Sequence, residues 1–178
     1  MHLVLALDQG FEALASVALT SFLLHHSFES VVVVAPEGHP MERLSALAAA
    51  FHVPLRLQPI SADSALSSLP PAVRPYFFCI EALKQEKPGR YLYVDADTLC
   101  VNELSALEDL PLDDVHPLAA CSHGRPMPDR SLVLFLESPY HYFNAGVLLF
   151  ESAALAKHLT PASVVDYFLR HRALCRFR

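Results

Sequence analysis

The sequence predicts a three-layer α/β fold, in which helices cover both faces of a mostly parallel sheet. Strand-like and helix-like segments alternate along the chain, and the strand-like segments are continuous apolar runs. Both features are typical of parallel sheets that are buried on both faces. The composition, with 53% hydrophobic and 18% charged residues, is that of a globular protein. The length of 178 residues fits one domain, so we expect a single domain over 1–178.

The predicted elements begin at the amino terminus. Residues 2–7 form a short apolar run that ends at Asp8, which predicts a buried first strand. The segment 12–26 is rich in Ala and Leu and lacks Gly and Pro, so it predicts a helix. The β-branched run 31–35 predicts a second strand, and residues 41–51 predict the next helix.

The following elements are less regular. Leu residues on one face predict a third strand at 54–60, and a Ser- and Pro-rich loop follows at 61–71. A helix is predicted at 76–87, where a Pro-Gly pair ends it, and a fourth strand at 90–94. The last predictions are strands at 117–121 and 145–150, a Pro-rich irregular segment at 122–140 and a terminal helix at 161–172.

Charge and cysteine placement exclude several classes of function. The formal net charge of −6 provides no basic surface for nucleic acid, so we expect no nucleic-acid partner. The four cysteines form no C-x-x-C pair and no zinc pattern. No secretory signal is evident, and no apolar run reaches the ~18 residues that a membrane span needs. We therefore expect a cytoplasmic protein without a transmembrane segment, with the membrane periphery as the second location.

Two acids directly follow the fourth predicted strand, in Y-L-Y-V-D-A-D-T-L at 91–99. In an extended backbone residues i and i+2 point the same way, so Asp95 and Asp97 can present carboxylates to one point, with small Ala96 between them. Such a pair suits Mn²⁺ or Mg²⁺. Asp8 also follows a strand. Because ligands bind at the carboxyl ends of parallel strands, Asp8 and Asp95 are candidates for one cleft.

Two other interpretations of this motif remain open. The acids can belong to a surface turn that caps a helix beginning near Asn102. The run D-x-D-T-L also resembles the first motif of haloacid-dehalogenase-type phosphohydrolases, in which Asp95 would be the nucleophile and Asp97 the general acid. That family has its motif near the start of the core. Here more than ninety residues precede Asp95, and Lys157 is the single lysine after it.

Three segments together resemble the family 8 glycosyltransferases. They are L-V-L-A-L-D-Q-G-F at 3–11, the acidic motif at 91–99 and Y-F-N-A-G-V-L-L-F at 142–150, and their spacing fits as well. The family comprises retaining galactosyl- and glucosyltransferases of the GT-A fold, lipopolysaccharide galactosyltransferases and glycogenin among them. The resemblance implies a UDP-sugar donor, a saccharide or glycolipid acceptor and a place in lipopolysaccharide biosynthesis.

The resemblance also implies roles for individual residues. Asp8 would accept a hydrogen bond from the uracil imide, and the ring of Phe11 would stack on the base. The implied site residues are Ala6, Asp8, Phe11, Asp95 and Ala96 for the nucleotide, Asp95 and Asp97 for Mn²⁺ or Mg²⁺, and Asn144 and Ala145 for the donor sugar. No residue is assigned as a protein nucleophile.

The chain departs from the family pattern in several places. Gly10 stands where the family often has Asn, and Phe78 where it usually has a donor-facing Arg, with Arg74 one turn away as a substitute. The chain stops ahead of the Asp-Gln pair and the late His of the family, and His141 is the nearest spare histidine. We therefore expect a fragment or a short relative that is a poor catalyst. A UDP-sugar-binding domain without turnover is the second hypothesis, and self-association through exposed apolar surface is a further expectation.

Overall fold

Six strands form one mixed sheet in the computed structural model, which describes residues 1–8, 10–122, 124–126 and 142–173. The strands are β1 (His2–Ala6), β2 (Val31–Pro36), β3 (Leu55–Ile60), β4 (Arg90–Asp95), β5 (Leu118–Ser122) and β6 (Phe143–Glu151). Their order in the sheet is β3-β2-β1-β4-β6-β5. The helices are α1 (Glu12–His25), α2 (Glu42–Ala50), α3 (Phe78–Ala82), α4 (Ser105–Glu108), α5 (Ser152–Leu155) and α6 (Pro161–His171).

The four strands β1 to β4 run parallel, while β6 is antiparallel to both β4 and β5. The register pairs Ala6 of β1 with Asp95 of β4, so these neighbouring strands end side by side. Asp8 and the acidic motif therefore emerge at one edge of the sheet, as the sequence predicts. The mostly parallel α/β fold is confirmed.

The sheet separates two apolar layers. In β1, Leu3 and Leu5 are buried on the side of α1 and α2, and Val4 is buried on the side of α3. In β4, Val94 joins the first layer and Tyr93 the second. Side chains that alternate between two buried layers explain why these strands read as continuous apolar runs and not as an apolar-polar alternation.

The predicted helix at 76–87 is wrong in its extent. A 3₁₀ turn occupies Arg74–Phe77, and the α-helix that follows covers only Phe78–Ala82. The carbonyl oxygen of Glu81, in the last turn, accepts a hydrogen bond of 2.9 Å from Nε2 of Gln58 in β3. The same carbonyl oxygen also accepts from the Lys84 amide at 3.0 Å, so the last turn tightens and contacts β3 instead of continuing to the Pro-Gly pair.

The other boundaries differ less from the predictions. The predicted loop at 61–71 contains a 3₁₀ turn at Ala65–Ser68, where the Ser64 hydroxyl accepts from the Leu66 backbone amide. Most of the predicted irregular segment 122–140, together with His141, lies outside the described residues. None of the described helices combines the length and the apolar character needed to cross a membrane.

Candidate functional site

A cavity of about 520 Å³ lies beyond the ends of β1 and β4, at the carboxyl edge of the sheet. Parallel sheets bind their ligands at this edge. The lining residues are Ala6, Asp8, Phe11, Ala72, Pro75, Tyr76, Phe78, Cys79, Tyr93, Asp95, Ala96, Asp97 and Ala145. Seven of the eight site residues singled out in the sequence therefore line one cavity. The eighth, Asn144, precedes Ala145 in β6.

The two acids of the motif sit where β4 gives way to a turn. Ala96 between them is buried, Asp95 is partly exposed and Asp97 is exposed. The turn is closed by a backbone hydrogen bond of 3.0 Å from the Thr98 amide to the Asp95 carbonyl oxygen. The nearest following helix, α4, begins at Ser105 and has no side-chain cap. The interpretation of these acids as a helix cap near Asn102 is therefore wrong.

The donor chemistry at this turn fits a divalent cation. Neither Asp95 nor Asp97 forms an ion pair with a described Lys, Arg or His, although both line the same cavity. Two carboxylates that face one space without a positive partner are a typical ligand set for Mg²⁺ or Mn²⁺, which also keep several waters or phosphate oxygens. Within the described ranges, no cluster of three or more His, Cys, Asp and Glu side chains could hold a metal.

The Asp95 side chain contacts Tyr93, which lies two residues earlier on the same face of β4. The Tyr93 hydroxyl donates a hydrogen bond of 2.6 Å to Oδ1 of Asp95. Burial raises the pKa of Tyr93, and the charge of Asp95 and the hydrogen bond to it raise the pKa of Tyr93 further. The phenol therefore remains a hydrogen-bond donor at every physiological pH.

Cys79 in α3 also lines this cavity. Burial raises the pKa of its thiol to about 12, and the negative charge of Asp95 acts in the same direction. Because only a thiolate is a strong nucleophile, this thiol stays protonated and unreactive near neutral pH.

A large β-bulge places Asn144 and Ala145 next to the acids. Opposite β5, Ala120 pairs with Leu148 and the next residue, Cys121, pairs with Asn144, so three residues of β6 have no partner in β5. The Asn144 side-chain oxygen accepts a hydrogen bond of 2.7 Å from the Gly146 amide and stabilises the bulge. Bulges of this kind commonly redirect side chains beside functional sites.

Gly146 in this bulge makes the close approach between β6 and Asp95 possible. A Cβ atom at this position would lie 2.7 Å from Oδ2 of Asp95 and 3.0 Å from Oδ1 of Asn144. Real Cβ contacts are longer than 3.0 Å, so any larger residue must push the carboxylate or the amide aside. The glycine therefore helps to fix where the Asp95 carboxylate lies.

We expect Gly146→Ala to weaken Mn²⁺ binding by about tenfold, since it displaces a carboxylate that we expect to hold the metal. The measurement is the Mn²⁺ dissociation constant by electron paramagnetic resonance, with the free ion as the signal. Cys121→Ala, on the exposed side of the neighbouring strand, is the matched control. Unchanged Mn²⁺ affinity in Gly146→Ala would contradict the assignment of Asp95 as a ligand.

Several lining residues were not predicted from the sequence. Ala72, Pro75 and Tyr76 come from the 3₁₀ turn and the segment ahead of it. The sequence predicts no element for residues 72–75 and only the start of a helix at Tyr76. Tyr93 was not predicted either. The two-residue period of β4 puts Tyr93 on the same face as Asp95, so the sequence pattern could have predicted that Tyr93 lies at the site.

Phe78 and Arg74, the two residues considered for the position of the donor-facing Arg, differ in where they lie. Phe78 does line the cavity and is buried. Arg74 does not replace the missing guanidinium, because its Nη2 donates to the carbonyl oxygens of Ser67 and Leu69, each at 3.2 Å. Arg74 therefore holds the backbone of the preceding 3₁₀ turn and is not among the lining residues.

The family model of glycosyl transferase family 8 matches residues 2–173. This chain belongs to glycosyltransferase family 8. Membership of this family favours the glycosyltransferase interpretation over the phosphohydrolase one. A comparison with curated protein sequences returned no match.

Solved structures of the same fold include LgtC, GlyE and TarS. An active-site mutant of LgtC superimposes with a TM-score of 0.81 at 20% identity, over 99% of this chain and 66% of LgtC. The galactosyltransferase LgtC in complex with donor and acceptor sugar analogs gives a TM-score of 0.79 at 21% identity, over 99% and 67% of the two chains. These matches establish the GT-A type of fold, and the chain spans about two thirds of the length of LgtC.

This chain covers a smaller share of the other two proteins. The glycosyltransferase GlyE of Streptococcus pneumoniae TIGR4, in its apo form, has a TM-score of 0.70 at 21% identity, over 99% of this chain and 40% of GlyE. S. aureus TarS in complex with UDP-GlcNAc has a TM-score of 0.50 at 18% identity, over 88% of this chain and 46% of the TarS chain.

Proposed function

We propose that this chain binds the donor in a metal-dependent glycosyltransferase, which transfers a hexose from a UDP-sugar to a hydroxyl of a saccharide or glycolipid with retention of configuration. One observation carries the proposal. The cavity at the carboxyl edge of the sheet gathers the β1 loop, the acidic motif and the β6 bulge, which are the three segments that resemble the family. The LgtC and TarS structures, with their sugar analogs and UDP-GlcNAc, support a nucleotide-sugar donor.

The uridine would lie at the end of β1. Phe11 is 43% exposed and lines the cavity, and its ring would stack on the base. Asp8 would accept from the imide N–H of uracil, which cytosine lacks. Ala6, which pairs with Asp95 in the sheet, is small and would let the base approach the backbone.

The diphosphate would lie over the turn at the end of β4. Asp95 and Asp97 would hold Mn²⁺ or Mg²⁺ there, and the Ala96 backbone lies between them. When bound, the ion would offset the negative charge that develops on the departing UDP. The protein's own contribution is to fix the turn and the Asp95 carboxylate, through the turn hydrogen bond of Thr98 and the phenol of Tyr93.

The donor sugar would face the β6 bulge. Asn144 is exposed, and its amide N–H groups donate to no described residue, so they can donate to a sugar hydroxyl. Ala145 and Gly146 are small and leave room for the ring. Retention would follow from transfer on one face of the sugar, and no described side chain is assigned as a nucleophile.

The decisive experiment is a calorimetric titration of the chain with UDP, in Mn²⁺ and again in a metal chelator. We expect binding in Mn²⁺, weaker binding in Ca²⁺ and no measurable binding in the chelator, with CDP as a control for the base. Equal UDP affinity in chelator and in Mn²⁺ would overturn the metal-dependent proposal.

A second assay separates transfer from binding alone. UDP release from UDP-galactose and UDP-glucose is followed with candidate sugar acceptors. Metal-dependent binding without UDP release would assign the chain as a donor-binding domain, which is the second hypothesis from the sequence. A cytoplasmic or membrane-peripheral location and self-association stay predictions.

A further inference from the structure

The Asp95 carboxylate presents two inequivalent oxygens. Its Oδ1 accepts the short hydrogen bond of 2.6 Å from the Tyr93 hydroxyl. Its Oδ2 accepts no hydrogen bond from the described residues and lies where a Cβ on Gly146 would be only 2.7 Å away. The carboxylate is thus fixed between a buried phenol and the backbone of the β6 bulge, while Asp95 as a whole lines the cavity.

The phenol that makes this contact is rigid. Tyr93 is 3% exposed and packs in the second apolar layer with Leu148 of β6. The side chain therefore cannot swing away to release Oδ1 without breaking the core, and its hydroxyl has the Asp95 oxygen as its partner. A charge-assisted bond from a fixed donor orients the plane of the carboxylate.

We propose that Tyr93 is a positioning residue that presents Oδ2 of Asp95 alone to a divalent cation and thereby makes the site favour Mn²⁺ over Ca²⁺. This inference rests on the proposed function, because it takes the cation to bind at Asp95 and Asp97. The larger Ca²⁺ takes six to eight oxygens and often binds a carboxylate through both of them, whereas the smaller ions prefer octahedral sets with single oxygens. An Oδ1 engaged with Tyr93 is a poor second ligand for Ca²⁺.

The test compares Tyr93→Phe with the wild type in the presence of saturating UDP. Mn²⁺ affinity is measured by electron paramagnetic resonance and Ca²⁺ affinity by competition with Mn²⁺. Loss of a residue that orients a metal ligand typically costs about 10- to 100-fold in affinity. We expect Mn²⁺ affinity to fall by that factor, Ca²⁺ affinity to fall less or to rise, and the Mn²⁺/Ca²⁺ preference to shrink.

Tyr91→Phe is the matched control, because Tyr91 lies on the same face of β4 and is equally buried. Its hydroxyl donates to the carbonyl oxygen of Lys87 at 3.1 Å and not to an acid. This variant measures how much metal affinity is lost when a tyrosine hydroxyl is removed from the same apolar layer without a change at an acid. We expect the Mn²⁺/Ca²⁺ preference of this control to equal that of the wild type.

Each outcome decides between the inference and the function on which it rests. Equal losses of Mn²⁺ affinity and Ca²⁺ affinity in Tyr93→Phe would show that the hydroxyl has only a general structural role, and would overturn the inference. A wild type that binds Ca²⁺ as tightly as Mn²⁺ would overturn it even if the variant does not fold. A wild type that binds neither ion with UDP would overturn the proposed function itself.

Discussion

We expect Asp97→Ala to lose Mn²⁺-dependent UDP binding by at least about 100-fold, more than the change of a residue that only orients a ligand. The substitution removes one of the two carboxylates that line the cavity at the end of β4. The loss of Asp97 halves the negative charge that the protein offers to the cation. Asp95 alone does not fix the ion beside the diphosphate. Asp97 is exposed, so its removal leaves no cavity in the core.

The measurement is calorimetry with UDP in Mn²⁺, together with thermal unfolding followed by circular dichroism. Asp109→Ala is the matched control, since Asp109 is an exposed acid that does not line the cavity. The control is expected to bind UDP as the wild type does, and both variants are expected to unfold at the wild-type temperature. Wild-type UDP affinity in Asp97→Ala would remove the acidic motif from the proposed site.

We expect Phe150→Ala to lower the free energy of unfolding by about 3–5 kcal/mol. Phe150 lies in β6, is fully buried and stacks on Tyr91 of β4 at a ring-centroid distance of 5.5 Å. Truncation removes the ring from this stack and leaves a cavity between the two strands. A loss of this size is a large part of the total stability of an ordinary domain, about 5–15 kcal/mol.

Urea unfolding of the variant and the wild type, with fluorescence and circular dichroism as probes, gives the change directly. Val101→Ala is the control, because Val101 is 78% exposed and its truncation should shift the free energy by no more than about 0.5 kcal/mol. A loss below about 1 kcal/mol in Phe150→Ala, less than core truncations cost, would show that the β4–β6 layer repacks without strain.

Much of the fold followed from local pattern. The largely apolar runs at 2–7, 31–35 and 90–94 correspond to β1, β2 and β4, because strands buried on both faces favour apolar residues. The helices at 12–26 and 161–172 are confirmed to within a residue. The terminal helix begins with a capping box between Thr160 and Ser163, a signal carried by adjacent residues.

The short helix α3 did not follow from local pattern. Residues 76–87 have a helical composition, yet the α-helix stops at Ala82. Its last turn is bound to β3 by the hydrogen bond from Gln58 to Glu81, which are 23 residues apart in the sequence. Helix propensity amounts to fractions of a kcal/mol per residue, so such a tertiary contact overrides it.

The candidate site divides along the same line. By itself, the sequence predicted that Asp95 and Asp97 follow one buried strand and that Asp8 follows another, because apolar runs and the two-residue period are local properties. That these two strands are neighbours in the sheet was decided by the tertiary structure. Only the tertiary structure decided the pairing of β4 with the bulged β6, which brings Gly146 against Oδ2 of Asp95 while Tyr93 holds Oδ1. That pairing joins segments some fifty residues apart, and its register depends on how both strands fill the two apolar layers, which no single stretch of sequence encodes.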